Sequence, residues 1–84
     1  MKELIHVYEQ EDQAVNEKIQ KFIQNNPDVT YSKVNSDSDV ELFRYYAMKF
    51  PVIEYPLFLG YVNGDLQDGH IGFGTEMVLS SLIN

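Results

Sequence analysis

Cysteine is absent from all 84 residues. That absence excludes a disulfide framework, a thiolate nucleophile, an iron–sulfur cluster and thiol-ligated zinc, and it leaves the redox compartment unreadable from thiol usage. Basic residues are scarce as well: six stand against thirteen acidic ones, for a formal charge of -7, and none follows Lys49. The C-terminal third therefore presents Glu54, Asp65, Asp68 and Glu76 without an offsetting cation. Direct binding to nucleic-acid phosphates or anionic lipid by that face is disfavoured, because such binding rests on lysine and arginine displacing counterions. A basic protein partner is allowed. Long apolar runs are also missing, so we expect no signal or membrane-spanning segment and a cytoplasmic location. No repeat, linker or low-complexity stretch divides the chain, and residues 1–84 read as one small domain. A domain this small spends nearly every apolar segment on a single core, so a ligand should meet a surface groove rather than a deep internal cavity.

Against those absences, the apolar periodicity is clear. Leu4-Ile5-His6-Val7-Tyr8 is a β-branched and aromatic run that suits a strand covered on both faces. From Asp12 the period lengthens: Val15, Ile19, Phe22 and Ile23 fall on one helical face, Asp12 is a suitable N-cap, and Asn25-Asn26-Pro27 is a stop. Val29 to Asn35 alternates as a second strand, which completes a βαβ unit and implies a parallel pair. Ser38 to Glu41 has the spacing of a capping box, so a second helix is expected from there through Phe43, Tyr46, Ala47 and Phe50 until Pro51 ends it. Leu57 to Val62 reads as a central strand. Asn63-Gly64 is a type I′ hairpin signal, after which Leu66 to Ile71 should return antiparallel. Gly72-Phe73-Gly74 breaks the pattern, and Thr75 can cap a last helix whose buried face carries Val78, Leu79, Leu82 and Ile83.

The resulting order, β-α-β-α-β-β-α, resembles the minimal thioredoxin or glutaredoxin fold. The second half of the chain carries the more specific likeness: Val34-Asn35-Ser36-Asp37, a helix, Tyr55-Pro56 leading into a strand, Asn63-Gly64, and His70-Ile71-Gly72 before the last helix. The resemblance implies an α/β domain with a four-stranded mixed sheet and helices on both faces. It also implies that Pro56 follows a cis peptide bond, which is uncommon even before proline, and that it lies opposite the start of the first helix. There, the residue before the proline pairs its backbone with an extended peptide. The family's two cysteine positions fall near Asp12 and Val15, and no sulfur stands at either. Dithiol–disulfide exchange is therefore excluded whatever the fold.

Tyr8 is placed where the related glutathione transferases stabilise a substrate thiolate, and its phenol is a possible donor. The continuation Gly72-Phe73-Gly74-Thr75 departs from the transferase pattern, so strand-end packing is the simpler role. His6 reads as a hydrogen-bonded strand histidine. Strand alternation is expected to separate it from Glu9, Glu11 and Asp12, and no metal-loop spacing is present. His70 is expected on an exposed edge. On the second helix Tyr45 and Met48 point away from the core face and form a candidate contact patch. Taken together, the expectation is a redox-inactive protein-binding or regulatory module, monomeric or weakly dimeric and without a cofactor. It would hold a protein partner, with charge complementarity favouring a basic one, between Tyr55, Pro56 and the turn that carries Asp12 and Gln13, with Tyr8 nearby and Tyr45 and Met48 as a second surface. Two alternatives stand beside it: an acidic decoy that regulates a basic, nucleic-acid-binding protein, and a glutathione-binding enzyme domain using Tyr8.

Overall fold

In the computed structural model, which describes residues 1–50 and 54–84, the chain runs β1 (Lys2–Tyr8), α1 (Gln13–Asn25), β2 (Val29–Asn35), α2 (Val40–Ala47), β3 (Leu57–Val62), β4 (Asp65–Ile71) and α3 (Glu76–Leu82). The four strands form one sheet in the order β2-β1-β3-β4. β1 pairs parallel with β2 from Lys2 opposite Val29 to Tyr8 opposite Asn35, and antiparallel with β3. The β3–β4 hairpin is antiparallel. β1 thus lies inside the sheet, which is why its residues from Leu4 to Val7 are all buried and its sequence carries no solvent-facing alternation.

The pleat divides the core in two. On one face Leu4, Val29 and Phe58 pack with Ile19 and Phe22 of α1 and Leu79 and Leu82 of α3. On the other, Ile5, Val7, Val34, Leu57 and Leu59 meet Phe43 and Tyr46 of α2 together with Phe50. Each fully buried aliphatic or aromatic side chain contributes about 1.5–3 kcal/mol, so both layers are needed to hold a chain of this size together.

Local signals account for most boundaries. Asp12 is the N-cap of α1, its carboxylate accepting from the Val15 amide at 3.2 Å. At the other end Asn26 donates its side-chain amide to the Phe22 carbonyl at 2.8 Å and closes the helix. Asn63 and Gly64 take φ of 53° and 85°, the pair of positive angles that the hairpin turn requires. Thr75 caps α3 by accepting from the Val78 amide. Gly60 is needed for close approach: a Cβ there would lie 2.1 Å from the Leu82 carbonyl oxygen.

The second helix differs from its expectation at both ends. Ser38 is not its N-cap; Asp39 occupies that position without a side-chain cap bond. The capping box is displaced by an asparagine-centred turn, in which the Asn35 side chain accepts from the amides of Asp37 and Ser38 while the Asp39 carboxylate accepts from the Asn35 amide. The helix closes at Ala47, and the Lys49 amide turns to the Tyr46 carbonyl in a tighter i→i−3 bond, so Phe50 packs on the core from beyond the helix. The proline stop expected at Pro51 lies outside the described residues. His70 is half-buried rather than exposed, because its Nδ1 bonds the Gly72 carbonyl at 2.9 Å as the chain leaves β4.

Candidate functional site

Strand alternation and register assemble a polar cluster at the C-terminal end of β1. His6 and Tyr8, two residues apart, project from the same face, and in β2 so do Tyr31 and Lys33. Register sets Lys33 opposite His6, so the four side chains become neighbours across the parallel pair. His6 is only 3% exposed. Its ring stacks on Phe58 at 4.6 Å with 17° between the planes, and its Nδ1 shares a 2.8 Å hydrogen bond with the Tyr31 hydroxyl. Burial, reinforced by the Lys33 ammonium and partly opposed by Glu11, lowers the His6 pKa to about 4, so the imidazole is neutral near pH 7. Burial likewise raises the Tyr31 phenol above its ordinary value, keeping it a hydroxyl.

The loop that follows β1 folds back over this cluster. Lys33 reaches up past the Tyr8 ring, 4.5 Å from its centroid, and donates to both Glu11 carboxylate oxygens at 2.8 and 2.9 Å. Asn16, from the first turn of α1, donates to the same carboxylate at 2.7 Å. With Lys33 as the largest cause and Asn16 next, the Glu11 pKa falls to about 2. This clasp fixes the β1–α1 loop to the neighbouring strand.

Opposite the loop lies Tyr55-Pro56, joined by a cis peptide bond. Between the two is a cavity of about 210 Å³. His6 and Tyr8 line it from the strand, Glu9, Glu11 and Asp12 from the loop, Val15 and Asn16 from the helix, and Tyr55 with Pro56 from the far side. Four of the residues singled out in the sequence, Tyr8, Asp12, Tyr55 and Pro56, are therefore brought together.

Three others are not. Gln13 stands off the cavity and donates its side-chain amide to Glu17 at 3.2 Å. Tyr45 and Met48 are 53% and 86% exposed on the outer side of α2, which packs on the opposite sheet face. The expected separation of His6 from the acidic residues is corrected: alternation governs only the strand, and the returning loop carries Glu9, Glu11 and Asp12 to the rim of the cavity that His6 lines. Among the described residues no set of three histidine or acidic side chains is placed to hold a metal ion. Lys33 and Asn16 carry no signal of this role in the sequence; the pairing of Lys33 with Glu11 depends on strand register, which a single sequence does not display.

No protein-family model matches the sequence, and no curated protein does. Solved structures do match. The chain is similar to a Fasciola hepatica thioredoxin, with 19% identity and a TM-score of 0.75 over 96% of this chain and 77% of that one. It is similar to the oxidised form of mitochondrial thioredoxin 3 from Saccharomyces cerevisiae, with 23% identity and a TM-score of 0.77 over 96% and 76%. A third likeness is to oxidised thioredoxin O2 from Arabidopsis thaliana, with 18% identity and a TM-score of 0.71 over 96% and 70%. At these identities the likeness establishes architecture, while the composition settles the redox chemistry. The chain has the thioredoxin-like fold, and because it contains no cysteine it has neither the CxxC pair nor thioredoxin-type redox activity.

Proposed function

We propose that this chain is a protein-binding or regulatory module in which the groove between Tyr55-Pro56 and the start of α1 holds an extended segment of a partner. The observation that carries the reading is the shared cavity: the loop before β3 and the mouth of α1 line one depression of about 210 Å³. Its walls mix apolar surface from Val15, Tyr55 and Pro56 with polar groups, the composition that suits a peptide whose side chains alternate between groove and solvent. Tyr55 supplies the apolar contact. The Glu11–Lys33–Asn16 clasp supports the same role, since a loop held in place loses little freedom when a ligand arrives.

The decisive comparison is capture of partners from the source lysate by the wild-type chain and by Tyr55→Ala, with identification by mass spectrometry. Loss of the captured proteins in the variant is expected. Unchanged capture moves the interface away from the groove, and the Tyr45 and Met48 flank is then next to be tested. A second reading, that the acidic surface occupies a basic, nucleic-acid-binding protein, is favoured by the absence of any base after Lys49. It requires affinity that falls steeply with salt, and salt-insensitive binding removes it.

A further inference from the structure

We propose that the outer face of α2 is a self-association surface, on which a second copy of this chain docks antiparallel about a two-fold axis at Tyr45. Of the six large apolar side chains exposed among the described residues, four (Val40, Leu42, Tyr45 and Met48) lie on or beside this one short helix. Met48 is its C-cap and keeps right-handed helical dihedral angles. At about 100° per residue, Leu42, Tyr45, Met48, Glu41 and Lys49 fall within an arc of about 120°, on the side away from Phe43 and Tyr46, which pack on the core. Lys49 shows the shared face directly, its ammonium lying 5.2 Å from the Tyr45 ring centroid. Tyr45 is braced edge-on against Tyr46, at 5.1 Å and 82°, so it loses little freedom when a partner arrives. None of the five lines the groove.

The charges along this stripe name its occupant. Residues 41–49 are complementary to their own reverse: with Tyr45 at the midpoint, an antiparallel second copy sets Tyr45 against Tyr45, Leu42 against Met48 and Glu41 against Lys49. Like charges stay apart, because the two Glu41 side chains are then eight residues from one another along the pair, about 12 Å at 1.5 Å per residue. A parallel partner would instead bring Glu41 to Glu41 and Lys49 to Lys49. Antiparallel packing also places the positive N-terminal end of each helix beside the negative C-terminal end of the other.

The surroundings favour the same contact. Segment 41–49 carries one acid and two bases in a chain with a formal charge of -7, so two copies repel one another less here than by their acidic C-terminal thirds. An interface of one short helix from each copy falls below the roughly 1,200 Å² of total burial that a stable complex needs, so the dimer is weak and is populated at about 0.1 mM protein and above.

Sedimentation equilibrium of the full chain from about 10 μM to about 1 mM tests the inference, with NMR amide shifts followed on dilution. Dimer is expected at the upper end, and the shifts should be confined to α2 and the turn that follows it. Glu41→Lys or Lys49→Glu turns both exposed charge pairs from attraction to repulsion and should raise the dimer Kd about tenfold. An equimolar mixture of the two variants sets opposite charges face to face again and should associate as strongly as the wild type, which separates pairing from any effect of either substitution on the helix itself. Tyr45→Glu places two carboxylates on the axis and should be monomeric throughout. A wild-type chain that stays monomeric at the highest concentration assigns the face to another protein and overturns the inference. So do single variants that associate as strongly as the wild type, or a mixture no stronger than its components. The groove reading is untouched by any of these results, since it is tested by capture with Tyr55→Ala.

Discussion

Acidification from pH 7 to pH 5 should weaken this domain through His6, and the size of the effect follows from its surroundings. An unfolded histidine titrates near 6.5, whereas burial and Lys33 lower the folded value to about 4. Between these values the unfolded chain binds more protons than the folded one, so stability falls as pH drops through the window and levels off below about 4. The sign is that of a group whose charged form is penalised by folding. A full shift implies a loss of about 2 kcal/mol between pH 7 and pH 5. Because the ring borders an open cavity, and the Lys33 contribution is screened by solvent, about 1–2 kcal/mol is the working figure. That is a large share of the net stability of a small domain. Urea unfolding at pH 7, 6 and 5 measures it, with His6→Leu/Tyr31→Phe as the control. Replacing both partners of a hydrogen bond by apolar groups of similar size leaves no orphan, so the double variant should lose little at pH 7. Its stability should also fall less on acidification. Equal pH slopes in the two proteins, or a His6 ring titration with its midpoint near 6.5, would refute the argument.

Two further substitutions probe what holds the site in place. Gly60→Ala brings a methyl against the Leu82 backbone, an obstacle that no rotamer change relieves. A loss of about 3 kcal/mol or more in chemical denaturation is expected, while Gly64→Ala, with open space but φ of +85°, should cost only about 1 kcal/mol. Equal costs for the two would mean that α3 is not seated on Gly60. Asp12→Ala removes the cap of α1 and should cost about 1 kcal/mol, whereas Asp12→Asn should be nearly neutral. Thermal unfolding distinguishes them, and equal losses in both variants would assign the effect of Asp12 to its charge instead.

The elements that sequence revealed are those whose cause is local. An aspartate before a 3.6-residue period produced the α1 boundary, and Asn63-Gly64 produced the hairpin, because each signal acts through its own neighbours' amides or dihedral angles. The start of α2 departs from the capping-box expectation because two local motifs compete there, and the asparagine turn at Asn35 is placed by a long-range event, the end of pairing with β1. The groove divides in the same way. Tyr55-Pro56 and the mouth of α1 were legible through the resemblance, whereas the closeness of His6 to the acidic loop was not. That closeness depends on Lys33 lying opposite His6 in register, and on Glu11 folding back to meet it.

A thioredoxin-like fold without cysteine still has the electrostatics of its first helix. The first turn of α1 carries unpaired amides and a partial positive charge, which favour any anion placed there. In this chain Asp12 takes the cap, and Glu11, just before it, is turned toward Lys33. Lys33 and Asn16 hold the Glu11 carboxyl well below the usual carboxylate range, so it stays ionic near neutral pH without the nucleophilicity that distinguishes a thiolate. In the proposed role such a groove would recognise charge and shape, and with no sulfur it takes no part in disulfide exchange. Its affinity should therefore be independent of the ambient thiol poise and dependent on ionic strength, and chemical reductants at constant salt should leave partner binding unchanged.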